Sequence, residues 1–241
     1  MPRERPAALA RSPRRAAAAG RARRPSQTER AYREVKRRIL DNELPAGTRM
    51  LEHELAALLG TSRTPVREAL VRLANEGMVA LRSRHGMRVL PVSADDMREI
   101  YEILTSLEST AAELAARRRV SAAELAKLEQ AIAEMEAALA RDDLRAWAAG
   151  DERFHLLLVD LGGNRRLRAM VHGVREQAHR VRMLTLGLRP RPSDSNREHA
   201  AVVAAIRRGD AEGARRLHRQ HRARAARTLL GLLRAHGLTP L

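Results

Sequence analysis

Residues 60–79 read GTSRTPVREALVRLANEGMV. Val66, Leu70 and Leu73 recur at helical spacing, Ser62 or Thr64 offers a cap, Pro65 is tolerated in a first turn, and Gly77 ends the run. Arg63 and Arg67 stand about one turn apart at its start. The unpaired N–H groups and positive dipole end of a helix N-terminus favour an anion such as phosphate. A short helix that adds two arginines and two hydroxyls there is built to meet a polyanion.

Working upstream, LEHELAALLG predicts a second short helix with Leu51, Leu55, Leu58 and Leu59 on its apolar side and Gly60 as its C-terminal cap. LPAGTRM breaks the chain before it, and residues 28–42 show a helical period with Tyr32, Val35, Ile39 and Leu40 on one side. Downstream, MVALRSRHGMRVLPV changes period and predicts two short strands, near 79–81 and 87–90, around a polar turn at 83–86. Three helices and a two-stranded wing make a winged helix-turn-helix. In that arrangement the second helix of the pair enters the major groove by its N-terminal end. Arg63 and Arg67 then project toward base edges, where bidentate arginine on guanine is the commonest specific contact. Ser62 and Thr64 are suited to phosphates. The wing tip at Arg84, His85 and Gly86 reaches an adjacent groove, with Gly86 allowing close backbone approach.

From residue 93 onward the pattern is helical throughout, with six helices expected at about 93–118, 121–140, 142–161, 164–187, 195–208 and 211–236. The expected organisation is a disordered basic tail at 1–27, a DNA-binding domain at 28–92 and an all-α domain at 93–241 for effector binding and dimerisation. The chain carries 46 Lys+Arg against 29 Asp+Glu, a net charge of +17, which points to a polyanionic partner. Eight arginines and one glutamate lie in residues 1–27, so the tail supplies much of that charge. No cysteine is present, which removes disulfides and thiolate sites and suits a cytoplasmic protein. No apolar run is long enough to span a membrane. Four aromatics, Tyr32, Tyr101, Trp147 and Phe154, are too few for a base-stacking platform.

The all-α segment holds a second pattern. Asp151 and His155 are i and i+4 in DERFH, on the face of Phe154, Leu158 and Val159. His199 shares an apolar stripe with Val202, Val203 and Ile206, and His221 aligns with Leu217, Ala225 and Thr228. His199 and His221 lie about equally far from a chain reversal at Gly209 and Asp210, so at ~1.5 Å rise per residue they reach one height in a helical hairpin. Four N/O ligands converging on one point suit Zn, Ni, Mn or Fe rather than calcium, one divalent metal per chain. His218, one turn from His221, competes for the same role on spacing alone. His172 and His179 are left unassigned. A hydrolytic site would need a nearby general base, and neither H-E-x-x-H, a Ser–His–Asp set nor a phosphate loop is recognisable. No catalytic residue is assigned; a metal-dependent hydrolase carrying a nucleic-acid-binding module is the alternative reading.

The run LPAGTRMLEHELAALLGTSRTPVREALVRLANEGMV resembles the winged-helix domain of the GntR family of bacterial transcription regulators, with SRTPVREAL its most specific part. The six-helix remainder resembles the FadR-type effector domain, FCD. The resemblance implies DNA contacts at Ser62, Arg63, Thr64, Arg67, His85 and Gly86. It implies metal ligands at Asp151, His155, His199 and His221, and so decides against His218. The chain departs from the family at His53, where arginine is usual, which weakens one DNA contact. It departs again at Leu104, where the family often has an anion-clamping arginine four residues before the glutamate at 108. Arg175 or Arg182 would then take over, the effector would be less anionic, or the metal itself would be sensed. The function implied is a cytoplasmic, homodimeric regulator on an inverted-repeat operator, a repressor released by a small effector, such as a carboxylate, bound at the metal.

Overall fold

A computed structural model describes residues 25–82 and 86–236. All but the end of the basic tail, and with it the wing tip Arg84 and His85, lies outside the described residues. The protein is mainly α: an N-terminal helix-turn-helix with a small sheet, followed by a helical bundle.

Helix α1 (Gln27–Leu40) starts where the Ser26 side chain accepts the Glu29 N–H, and it buries Ala31, Tyr32, Val35 and Ile39. Strand β1 (Arg49–Met50), α2 (Glu52–Leu59), α3 (Arg63–Asn75), β2 (Val79–Arg82) and β3 (Gly86–Val89) follow. The apolar faces of α1–α3 and the sheet close on one core around Val35, Ile39, Leu55, Val66, Leu70 and Val89. Two sequence expectations need correction. The sheet has three strands rather than two, in the antiparallel order β1-β3-β2, with Arg49 paired to Arg88 and Val79 to Val89. A two-residue strand has no period of its own; β1 exists because β3 supplies its partner. Leu58 is also 45% exposed instead of buried, because the two turns of α2 bury only Leu55 and Ala56.

Gly86 has φ +69°, and a Cβ there would lie 2.2 Å from the Met50 carbonyl oxygen and 2.7 Å from Leu51 Cα. The close approach that this glycine permits in the structure is to the chain's own β1–α2 junction.

The bundle comprises α4 (Ala94–Arg118), α5 (Ala122–Ala140), α6 (Leu144–Leu161), α7 (Arg165–Leu184), a 3-10 turn (Leu186–Leu188), α8 (Ser193–Arg208) and α9 (Ala211–Ala235). Reciprocal capping boxes, Ser93 with Asp96 and Ser121 with Glu124, start α4 and α5. Helix α7 ends three residues earlier than its apolar period predicts, where the 3-10 turn leads into Pro190 and Pro192. Helix α4 runs along α9, and α8 folds back on α9 through Gly209, left-handed at φ +69°. Two apolar clusters fill the bundle. One centres on Leu128, Met135, Trp147, Phe154 and Val202, the other on Tyr101, Leu104, Val171, Val181 and Leu229. Helix α7 also packs on α1, where Lys36 Nζ lies 2.5 Å from Glu176 Oε2 and 2.8 Å from Glu76 Oε2. Beside it an Arg180 N–H donates to the Leu90 carbonyl at 2.5 Å. Among the described residues no helix is long and apolar enough to cross a membrane.

Candidate functional site

Ser62 occupies the N-cap of α3 with extended backbone, but its side chain makes no capping bond. The hydroxyl is left for another partner. Ser62, Arg63, Thr64 and Arg67 are all exposed. The Arg63 and Arg67 side chains are 71% and 75% exposed, with Glu52 3.7 and 3.8 Å away as a loose counter-charge. The same face continues to Val71, 46% exposed and one turn beyond Arg67. Val71 is absent from the sequence expectations, although its i+8 spacing from Arg63 places it on the same face. An exposed methyl-bearing side chain beside two arginines suits contact with a thymine methyl. Arg49, Arg82, Gly86 and Arg88 line one depression on the sheet, extending the basic surface toward the wing.

The second constellation is deeply buried. Helix α6 delivers Asp151 and His155, α8 delivers His199 and α9 delivers His221, and their ligand atoms all lie within 4.8 Å of one another. Asp151 Oδ1 is 3.7 Å from both His155 Nε2 and His199 Nε2, and the Nε2 atoms of His199 and His221 are 3.1 Å apart. At a metal–ligand distance of ~2.1 Å, adjacent ligand atoms stand about 3.0 Å apart in an octahedron and about 3.4 Å in a tetrahedron. The His199–His221 pair at 3.1 Å falls in that range, and the two Asp151 separations at 3.7 Å are slightly wider. His155 Nε2 is buried with no hydrogen-bond partner. Two imidazole nitrogens at 3.1 Å repel unless one carries a proton, so the donor set fits a cation at its centre.

The surroundings support that reading. Glu198 accepts from His221 Nδ1 at 2.7 Å and Glu108 accepts from His155 Nδ1 at 3.0 Å, which turns both Nε2 lone pairs inward. His199 stacks on Phe154 with ring centroids 4.1 Å apart. Burial holds His199 and His221 well below the usual histidine range, so both are neutral and able to ligate. Burial would raise the Asp151 carboxyl, but Arg182, at 3.2 Å from Oδ2, and the histidines hold it well below its ordinary value. His218 points elsewhere. Its Nε2 is 3.4 Å from His155 Nδ1 and 3.5 Å from Glu108, whose two carboxylate oxygens are already held by Nε and Nη2 of the buried Arg222. Glu108, His155 and His218 form a second compact group, yet Arg222 supplies its positive charge.

A cavity of about 110 Å³ opens directly onto this cluster. Asp151, His155 and His221 form its floor, and Trp147, Tyr101, Ser195 and Thr228 contribute walls. Five arginines line it, Arg182, Arg189, Arg191, Arg222 and Arg224, and because they come from distant segments the sequence singles out only Arg182 among them. Of the two arginines proposed to replace the one absent at Leu104, Arg182 lines the cavity. Arg175 pairs with Glu152 instead, as Arg182 does at 2.8 Å. Leu104 itself is wholly buried in the bundle core. His179 is half-buried between Asp41 (3.6 Å) and Glu152 (3.9 Å), and His172 is exposed.

With this geometry in place, comparison with known proteins is direct. Residues 27–89 match the gntR family of bacterial regulatory proteins, and residues 99–224 match the FCD domain. An HTH-type transcriptional regulator of Agrobacterium vitis, from the TAR-I ttuE-ttuC′ intergenic region, is 43% identical over 54% of this chain and 77% of its own length. The HTH-type transcriptional repressor RspR of Escherichia coli K12 is 26% identical over 80% of this chain and 84% of its own. The solved structure of E. coli McbR/YncC has the same fold, with a TM-score of 0.73 at 22% identity, covering 86% of this chain and 98% of that one. The chain belongs to the GntR family of transcription regulators, in the group that carries an FCD domain. It is a DNA-binding regulator rather than an enzyme.

Proposed function

We propose that this GntR/FCD regulator is a cytoplasmic homodimeric repressor that leaves an inverted-repeat operator when a small carboxylate occupies the cavity beside one divalent metal per chain. In this reading residues 28–92 bind DNA through Ser62, Arg63, Thr64, Arg67, His85 and Gly86. Residues 93–241 pair the subunits and hold the metal on Asp151, His155, His199 and His221. The observation that carries the reading is the cavity floor: ligand atoms of a buried His/Asp cluster face a solvent-connected space in the same chain as a winged helix. A bound metal supplies a Lewis-acidic centre for an oxygen donor. The protein's own residues orient it: Glu108 and Glu198 set the imidazole tautomers, and Arg182 fixes the Asp151 carboxylate. The repressor reading takes support from the name of RspR, and dimerisation from the need of a helix-turn-helix to double its site.

Helix α7 gives the signal a route. Toward the cavity it carries Arg182, on Asp151 and Glu152, and Arg175, on Glu152. Toward the winged helix it carries Glu176 on Lys36, His179 beside Asp41, and Arg180 on the Leu90 carbonyl. A shift of Asp151 on effector binding is therefore passed to α1 by one rigid helix. The coupling equals the effector's differential affinity for the two arrangements, typically about 1–3 kcal/mol.

The test combines elemental analysis with fluorescence anisotropy on an operator selected from random duplex DNA. The parent protein is expected to hold one metal per chain. His199→Ala and His221→Ala are each expected to lose it, and His218→Ala to keep it. Effector response should follow the metal. Retention of metal by both His199→Ala and His221→Ala would remove the site.

A further inference from the structure

Five arginines line the cavity, and four of them are already committed. Arg182 is held by Asp151 and Glu152, Arg222 by Glu108, and Arg224 by Glu198 at 2.6 Å and by the Ser195 hydroxyl at 3.0 Å. Arg191 reaches Asp142 at 3.0 Å and the Leu139 carbonyl at 2.5 Å. Arg189 is the exception. Among the described residues it makes no hydrogen bond and no ion pair, and its guanidinium carbon stands 5.9 Å from the Trp147 ring centroid. Arg189 is half-buried, and that burial lowers its pKa. A guanidinium does not shed its proton at physiological pH, so Arg189 presents an unpaired positive charge and its N–H donors to the cavity.

The position of Arg189 is built as well. The segment between the 3-10 turn and α8 runs Arg189, Pro190, Arg191, Pro192, two prolines limiting its backbone. Arg191 staples that segment to the end of α5 through Asp142 and Leu139. Trp147, which forms the wall next to Arg189, is fixed by its indole N–H, which donates to Asn196 Oδ1 at 3.0 Å. A fixed segment, a fixed aromatic wall and one uncompensated cation thus face the same space as the His/Asp cluster.

We infer that Arg189 is the specificity-determining residue of this cavity: it grips a carboxylate of the effector from the 3-10 turn–α8 segment. This rests on the effector reading above. It places the anion clamp on a different element from α4, where Leu104 is buried. The cavity volume limits the ligand. An apolar cavity of ~150 Å³ holds benzene, so about 110 Å³ suits an acid of roughly two to four carbons.

Metal content by elemental analysis is measured first, then acetate, malonate and the neutral acetamide are titrated by calorimetry. The emission of Trp147, the single tryptophan, reports cavity occupancy independently of DNA. For the metal-loaded protein, Arg189→Ala and the closer Arg189→Gln should weaken acetate or malonate at least about tenfold. Metal content and melting temperature should be unchanged, Arg189→Lys should recover part of the affinity, and acetamide should bind no variant. Acid binding equal to the parent in both Arg189→Ala and Arg189→Gln would overturn the inference. So would equal binding of acetamide and acetate, or a metal-loaded parent that binds neither acid. A parent that holds no metal would instead defeat the reading beneath it. Arg189-dependent acid binding to that metal-free protein would then sustain the clamp, and its absence would overturn both.

Discussion

The carboxylate behind His221 gives the cleanest quantitative handle on the cluster. Glu198 accepts from His221 Nδ1 at 2.7 Å and so leaves the Nε2 lone pair facing Asp151, His155 and His199. Glu198→Gln keeps the size and the acceptor but removes the charge, and it turns an amide N–H₂ toward one of the two Arg224 donors that now end on the carboxylate. Losing such a supporting partner typically costs about 10–100-fold in metal affinity. The effect should fall near the lower end, about tenfold or ~1.4 kcal/mol, because the Glu198 side chain is 31% exposed and shares its charge with Arg224. Glu108, behind His155, is a poorer choice. It is fully buried against Arg222, and neutralising it would leave a guanidinium unpaired in the core at a cost of about 3–5 kcal/mol. Competition for zinc against a chromogenic chelator reads the change, with circular dichroism confirming unchanged helicity. An affinity for Glu198→Gln within twofold of the parent would refute the claim that this carboxylate sets the basicity and orientation of His221.

Arg63→Ala should weaken a selected operator by about 1–3 kcal/mol while losing discrimination at one base pair, measured by anisotropy on matched and mismatched duplexes; equal affinity on the matched site removes Arg63 from the reading head. Gly86→Ala should lower the thermal stability of the full chain by about 2 kcal/mol or more, since it combines a left-handed backbone with a Cβ placed 2.2 Å from the Met50 oxygen. A melting temperature equal to that of the parent would show that the wing yields. Lys36→Met removes the one cation shared by Glu76 and Glu176 and should leave metal content intact while reducing the effector's shift of operator affinity severalfold. An undiminished shift would take α7 and α1 out of the route.

Most of the helices were legible because each buries a stripe at a period the sequence carries openly. Val66, Leu70 and Leu73 define α3, and all are buried. The failures share one cause. β1 is created by its neighbour β3, and Leu58 is exposed because nothing in α2 itself says which side the core will cover. Gly86 also serves the fold in a way its sequence neighbours do not announce: the atoms nearest its missing Cβ belong to Met50 and Leu51, at the β1–α2 junction. Each depends on a partner distant in sequence.

The His/Asp cluster was legible for a different reason. Equal distances from a reversal at Gly209 place His199 and His221 at one height, and the structure brings their Nε2 atoms to 3.1 Å. Spacing could not separate His221 from His218, since both lie on the inner side of α9 and both are buried. What separates them is where the nearby carboxylates are spent. Glu198 takes the outer nitrogen of His221 and frees the inner one. Glu108, beside His218 Nε2 at 3.5 Å, is shared between Arg222 and His155, so the His218 group already has its positive charge. A single cation among Asp151, His155, His199 and His221 would satisfy the orphaned His155 Nε2 and be shared by the closely spaced nitrogens of His199 and His221. A cation at the His218 group would have to displace a guanidinium already bound to both Glu108 oxygens through Nε and Nη2. The orphaned His155 Nε2 and the unpaired Arg189 guanidinium both belong to residues lining one cavity, and that juxtaposition is the physical ground for proposing a cation and an anion side by side.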